Sequence, residues 1–317
     1  MSAARLYGGV EAGGTKVVCG IGDGSASLRH RITIPTTTPS ETLDGVVHYF
    51  TAQRAAGHDI TALGVASFGP LDLAPGSASF GHITTTSKPG WKDTDLVGTL
   101  TQGLGVPVAL DTDVNGAAVG EHRWGAGRGH DDLVYITVGT GIGGGAVVGG
   151  RPLHGLLHPE MGHLHVRRHP GDPLAGVCPY HGDCLEGLAS GPAIEERADR
   201  PATTLSAAQH REVVEFEAFY LAQLVASVVY LLMPRRIILG GGVLKLPGLL
   251  DAVRAATVGR LAGALALHEV SAGIDDFLVS PDLGDDSGVI GAVALACTMP
   301  RTAADRRPHD GPPRRVR

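Results

Sequence analysis

The sequence predicts an α/β fold built from two related halves. Three observations carry that expectation. Strand-like apolar runs alternate with helical ones, a strand–glycine turn–strand unit occurs twice about half a chain apart, and three glycine-rich turns stand at strand ends. The first unit is Leu6–Val10, the turn Glu11-Ala12-Gly13-Gly14-Thr15, and Lys16–Ile21. A Gly-Gly pair between β-branched runs is a bend, since no strand interior favours it. Residues Ser40–Arg54 read as a helix with Ser40 as N-cap. Ala62–Ser67 reads as a strand running into Phe68-Gly69-Pro70. A helix over Thr94–Gly103, a strand over Val106–Leu110 and a helix over about Val114–His122 follow. Leu133–Val148 is the second unit, bent at Val138-Gly139-Thr140-Gly141-Ile142-Gly143-Gly144-Gly145. Arg211–Met233 is a long helix stopped by Pro234. The strand Arg236–Leu239 then runs straight into Gly240-Gly241-Gly242.

The 317 residues suffice for one large or two medium domains. With 43% hydrophobic and 18% charged residues the chain reads as globular. Its 47 glycines and 4% aromatics favour tight turns over an aromatic-lined groove. A net charge of −6 gives no reason to expect nucleic acid or an anionic membrane as partner. Met1–Arg5 leads into glycine rather than an apolar leader. The most apolar run, Ala218–Met233, is interrupted by Gln223 and falls short of a membrane span. Cysteines 19, 178, 184 and 297 do not make a secreted disulfide framework, so a cytoplasmic location is expected. The Arg- and Pro-rich stretch from Arg301 onward lacks apolar periodicity and is expected to be disordered.

The three glycine turns, Glu11–Thr15, Gly139–Gly145 and Gly240–Gly242, place bare amides where phosphate oxygens can approach, with Thr15 and Thr140 as added donors. Neither G-x-x-x-x-G-K-[ST] nor a G-x-G-x-x-G opening a helix is present, against a P-loop or dinucleotide fold. In Asp111-Thr112-Asp113-Val114-Asn115 a carboxylate stands at a strand-to-helix junction. It can take the proton of an attacking hydroxyl in phosphoryl transfer, or serve as a helix N-cap. His163 with Cys178-Pro179-Tyr180-His181-Gly182-Asp183-Cys184 offers a Cys2His2 set for a structural zinc ion. His158, His165 and His169 compete with His163 for the fourth position. Glu160 and Glu186 flank the cluster, where a pinned loop would hold them rigidly for sugar hydroxyls.

Read together, these segments resemble the ROK family. Glu11-Ala12-Gly13-Gly14-Thr15-Lys16 resembles its first phosphate motif, Val138–Gly145 its second, and Leu239–Val243 its adenosine-side turn. Thr112-Asp113-Val114-Asn115 is similar to the segment whose aspartate is the catalytic base. Glu160-Met161-Gly162-His163 resembles the signature whose Glu and His meet the sugar, the His also reaching zinc. Cys184-Leu185-Glu186-Gly187-Leu188-Ala189-Ser190-Gly191 looks like the stretch after the zinc loop. Family members often carry Asp where Glu11 stands and Asn where Thr112 stands, and the zinc loop here is Cys-x-x-His-x-x-Cys rather than Cys-x-Cys with a third Cys. Glu11, Ser67-Phe68-Gly69-Pro70, Lys88-Pro89-Gly90-Trp91 and the Cys-Pro-Tyr-His-Gly-Asp-Cys loop together look like the fructokinase branch.

The resemblance implies an actin-like (ribonuclease H-like) ATPase fold, two related domains around a nucleotide and sugar cleft. Residues 1–118 with about 288–299 would form the small domain and 119–287 the large one, with 300–317 a tail. It implies transfer from ATP, with Mg2+, to the 6-hydroxyl of a hexose, fructose by preference, and a homodimer. Asp113 would be the base, and Thr112, Asn115, Glu160, His163 and Glu186 would meet the sugar. Glu11, Gly13, Gly14, Thr15, Lys16, Gly139, Thr140, Gly141, Gly240, Gly241 and Gly242 would hold the nucleotide, and His163, Cys178, His181 and Cys184 the structural Zn2+. Rivals are a glucokinase, mannokinase or amino-sugar kinase on the same scaffold, or a catalytically inactive sugar sensor. A sugar-responsive repressor would need a helix-turn-helix ahead of the first motif, where only Met1–Leu6 stand.

Overall fold

Strand β1 (Leu6–Ala12) turns back into β2 (Lys16–Gly22) and β3 (Leu28–Pro35), followed by α1 (Pro39–Ala55), β4 (Ile60–Ser67), α2 (Leu96–Leu104), β5 (Val108–Thr112) and α3 (Asp113–Trp124). The pattern then recurs as β6 (Leu133–Val138), β7 (Ile142–Val148) and β8 (Arg151–Pro152). After these come α4 (Leu185–Ala189), α5 (Gly191–Ala198), α6 (Ala207–Leu232), β9 (Arg236–Gly240), α7 (Leu249–Leu261), α8 (Ile274–Phe277), β10 (Leu278–Val279) and α9 (Ser287–Cys297). This computed structural model describes residues 5–299, so the expectations made for the first residues and for the tail from 300 onward lie outside the described residues.

The strands form two five-stranded sheets, ordered β3-β2-β1-β4-β5 and β8-β7-β6-β9-β10. The repeat expected from the two glycine units extends to every strand. In each sheet the first three strands pair antiparallel and the last two join in parallel. One apolar core, including Phe50, Leu63, Trp91 and Leu100, fills the space between the first sheet and α1 and α2. A second, including Ile136, Leu188, Tyr220, Leu221 and Ile237, lies between the second sheet and α6. By length and composition α6 could cross a membrane, but 67% of its most apolar window is buried in the protein, so it is a core helix.

Helix α9 returns to pack on β1 and β4 of the first sheet and crosses α3, which also packs on β6 and β7 of the second. That crossing is so close that it excludes side chains. A Cβ on Gly291 would overlap the Gly116 carbonyl, and one on Gly120 would come within 2.9 Å of the Ser287 carbonyl oxygen. On the sheet side, a Cβ on Gly64 would overlap the Ala292 carbonyl. Fully buried Glu121 on α3 ties the approach to α9 into the same crossing. Its carboxylate accepts from the amides of Ala126, Asp282 and Leu283 and from the Ser287 hydroxyl, at 2.7–3.1 Å.

Several expected boundaries shift for local reasons. The N-cap of α1 is Thr38, not Ser40: Thr38 and Glu41 form a reciprocal capping box, and Pro39 fits the first turn because its missing N–H would have no helical partner. Ser206 and Gln209 form a second box, which starts α6 before Arg211. Asp113 is not a cap. Thr112 holds that place, its hydroxyl accepting from Asn115 N at 3.1 Å, and Asp113 is the first helical residue. β5 begins at Val108 rather than Val106.

If the α3–α9 crossing is set by bare backbone, Gly291→Val should cost about 3 kcal/mol or more in urea denaturation, because main-chain atoms cannot yield to the added methyls. Gly259→Ala, on the exposed face of α7 with nothing within 4 Å, should instead raise stability by about 0.5–1 kcal/mol. Equal stabilities for the two variants would contradict the account of the crossing.

Candidate active site

The ends of β1, β5 and β9 and the start of α9 meet at a cleft of about 290 Å³. Among its lining residues are Glu11, Lys16, Asp113, Thr137, Gly241, Gly242, Lys245 and Asp285. The fold accounts for each placement. Glu11 lies near the end of β1, and its carboxyl rests so closely on Gly288, in the first turn of α9, that a Cβ there would come within 2.6 Å of Oε1. Asp113 opens α3, with Oδ1 accepting only from the adjacent Val114 N at 2.9 Å. Both carboxylates thus stand at helix N-termini, where the helix dipole favours negative charge.

Burial works against those charges. It pushes the Asp113 carboxyl up to about 6; the Val114 amide pulls it back and the nearby Glu160 carboxylate adds to the rise. Glu11 is pushed up to about 7, first by burial and then by the negative charge of Asp113, with Lys16 opposing. Glu160 is also raised by burial, with His163 opposing and Glu186 adding. Raised to about 6 and about 7, the Asp113 and Glu11 carboxyls are poised to exchange protons near neutral pH.

The turns expected to meet phosphate differ in their surroundings. In the first, Gly13 N donates to Lys16 O, and Gly14 has open space above it. Lys88, on the segment carrying buried Trp91, reaches the Gly14 carbonyl, so a cation sits beside this turn. In the second, Gly139 N donates to Gly141 O and Glu186 Oε2 accepts from Ile142 N at 2.9 Å. The Glu186 carboxylate lies so near Gly141 that a Cβ there would come within 2.6 Å of it. In the third, Gly241 has φ +94°, which requires glycine, and Gly240 leaves room for the Tyr135 hydroxyl.

Ligand atoms of His163, Cys178, His181 and Cys184 all lie within 4.8 Å of one another. Zinc bonds of about 2.3 Å to sulfur and 2.1 Å to nitrogen place S and N about 3.6 Å apart at the tetrahedral angle. Three of the four Nδ1–sulfur separations are 3.6 Å (His163–Cys184), 3.7 Å (His181–Cys178) and 3.8 Å (His163–Cys178), and all four ligand atoms lie within 4.8 Å of one another, so the residues fit that metal. Two of the competing histidines stand elsewhere: His158 binds the Leu71 amide, and His169 packs edge-on against Phe216 and Phe219. His165 lies beside the cluster, its ring centroid 6.1 Å from that of His181, but is not among the four residues whose ligand atoms converge. Cys184 directly precedes α4, which carries Glu186, so the cluster and the second glycine turn are joined by two residues of chain.

Thr112 and Asn115 are turned into the fold. Thr112 caps α3, and Asn115, fully buried, donates to Asp111 Oδ1 at 2.8 Å. Sequence reasoning did not mark Lys245 or His154, and it quoted Lys88 and Asp111 only within longer segments, with no site role of their own. Lys245 pairs with Asp285 at 2.7 Å across the cleft mouth, and Asp111 binds His154 at 3.0 Å. Each contact joins residues distant in sequence, so no local motif marks it.

Residues 7–299 match the sequence model of the ROK family. Among curated relatives, a fructokinase of Zymomonas mobilis subsp. mobilis is 43% identical, covering 92% of this chain and 96% of its own. A fructokinase of Streptococcus mutans serotype c is 37% identical, covering 92% and 98%. Among solved structures, a ROK hexokinase from Thermus thermophilus superposes with TM-score 0.74 at 32% identity, covering 92% of this chain and 98% of that one. A ROK family glucokinase from Streptomyces griseus, in complex with glucose and AMPPNP, gives TM-score 0.71 at 27% identity, covering 92% and 99%.

Proposed function

The chain belongs to the ROK family, and from that premise we propose that it is an ATP-dependent fructokinase, transferring the γ-phosphoryl group of ATP to the 6-hydroxyl of fructose. The observation that carries the catalytic reading is Asp113: a carboxylate free of capping duty, raised by burial, in the cleft shared with Glu11 and Gly241. The preference for fructose rests on the fructokinases among its relatives.

In this reading Asp113 orients the sugar hydroxyl and accepts its proton as the oxygen attacks phosphorus. Glu160, His163 and Glu186 hold the ring. Thr112 and Asn115 support that side from within, fixing the start of α3. Phosphates lie over Gly13-Gly14-Thr15 and Gly139-Thr140-Gly141, with Lys16 beside them, and the adenosine lies against Gly240-Gly241-Gly242. The N-termini of α3 and α9 favour the same anions. Mg2+, bound mainly through phosphates and water and within reach of Glu11, would neutralise phosphate charge. Zn2+ held by His163, Cys178, His181 and Cys184 would be structural, its four protein ligands leaving no open position. Domains of 1–118 with 288–299 and of 119–287, a cytoplasmic location and a homodimer belong to the same proposal. The matching order of the two sheets supports the first of these, and the resemblance to the family the others.

Asp113→Asn should lower kcat by about 10²–10⁴-fold while leaving KM for ATP near its normal value, as read by coupled ADP release. Near-normal turnover would end the assignment. The base works as a carboxylate, so raising its pKa to about 6 means the active form is lost on acidification. kcat/KM for the sugar should fall about tenfold per pH unit below pH 6, rather than below the ordinary carboxylate range near 4. Metal analysis of purified protein should find one zinc per chain. Cys184→Ser should lose it and lower the melting temperature by about 5 °C or more. A zinc-free protein indifferent to chelators would contradict the structural-metal reading.

A further inference from the structure

A loop leaving the second sheet, residues 153–160, is fastened by two histidines to β5 of the first sheet and to the segment that follows β4. His154 Nε2 lies 3.0 Å from Asp111 on β5, and the Asp111 carboxylate holds the imidazole above its usual pKa. His158 is the more deeply placed, with its side chain 4% exposed. Its Nε2 accepts from the Leu71 N–H at 3.1 Å, just beyond the end of β4. Gly69 makes room for the ring, since a Cβ there would come within 3.2 Å of Nε2.

That single bond fixes the chemistry of the ring. A nitrogen that accepts from a backbone N–H carries no proton, so His158 is neutral and its proton is on Nδ1. Nδ1 faces Glu160 Oε1 at 3.4 Å, a contact that a small shift turns into a hydrogen bond. Leu71 N–H, imidazole and Glu160 therefore line up from the segment after β4 to a carboxylate near Asp113.

We propose that His158 is a positioning residue for the sugar pocket, aiming the Glu160 carboxylate at the hexose and coupling its orientation to the segment after β4. The proposal rests on the kinase reading above. It gives the loop a purpose that packing alone does not: when the segment after β4 and the loop close together, Glu160 is delivered in one orientation. A second acceptor in place of Nδ1–H would repel the carboxylate, so the tautomer matters as much as the shape.

The test compares His158→Leu with His158→Gln in the full-length protein. A glutamine side chain carries an acceptor for Leu71 and a donor for Glu160 on one planar group, whereas leucine fills the space and carries neither. With the hexose that the wild type turns over fastest, the leucine variant should raise KM for the sugar about tenfold or more, with KM for ATP within about twofold, and glutamine should restore most of the loss. Calorimetric hexose affinity without nucleotide should follow the same order, which reads the proposal independently of turnover. Should the leucine variant fail to fold, His158→Met, Glu160→Gln and the Glu160→Gln/His158→Met double variant complete a cycle. The proposal requires the double variant to be no weaker for sugar than Glu160→Gln alone. Leucine and glutamine variants equally impaired, unchanged sugar KM in both, equal rises in the two KM values, or additive effects in the cycle would overturn it. A wild type that turns over no hexose would instead refute the kinase reading, while calorimetry still judges His158.

Discussion

Helices α3 and α9 cross with main chain against main chain, because Gly116, Gly120 and Gly291 leave nothing between them. Each helix also packs on a different sheet, so this crossing sets where one sheet stands relative to the other. Its consequence for chemistry is direct. The N-terminus of α3 carries Asp113, that of α9 receives Glu11, and both open on one cleft. Helix dipoles hold these carboxylates toward their charged form while burial pulls them away from it, leaving them near 6 and 7 rather than 4. A side chain inserted at the crossing would separate the two groups before it touched either.

The sugar side is organised by loops whose fixed points lie outside the cleft. The Cys2His2 cluster ends at Cys184, two residues before Glu186, whose carboxylate also accepts from Ile142 in the second glycine turn. One carboxylate thus spans the Cys2His2 cluster and the second glycine turn. Glu160 is approached from the other direction, through His158 and the Leu71 amide of the segment after β4. The two glutamates expected to hold the ring are therefore anchored to different parts of the molecule. Closing the cleft would bring them to bear together.

Much of this arrangement was legible in the sequence, for reasons that differ by element. The glycine turns and Asp113 are local signals, and the fold sets them where strand and helix periodicity implied. The cysteine and histidine spacing was also readable, since ligands within one short loop have few ways to miss one another. Position 163 could be favoured only from tertiary structure: His158 and His169, which compete equally in sequence, face Leu71 and two phenylalanines, while the ligand atoms of His163 converge with those of Cys178, His181 and Cys184. The cap of α1 was misplaced by two residues because the serine at 40 drew attention from the reciprocal Thr38–Glu41 pair. Strand β3 and helix α9 went unassigned: β3 is largely exposed and carries mixed polarity, and α9 is apolar all round, so neither shows one-sided periodicity. The pairing of Glu121 with Ser287 and of His158 with Leu71 spans distant parts of the chain, which no window of sequence reports.

The most direct test of the central claim is ADP release by the purified protein with MgATP across fructose, glucose, mannose and their N-acetyl amines, with the phosphorylated product identified by NMR. The account predicts release that depends on sugar, strongest with fructose, and fructose 6-phosphate as product in one-to-one ratio with ADP. Preference for another hexose would contradict the fructokinase assignment, and release indifferent to sugar would contradict phosphoryl transfer to a hexose altogether.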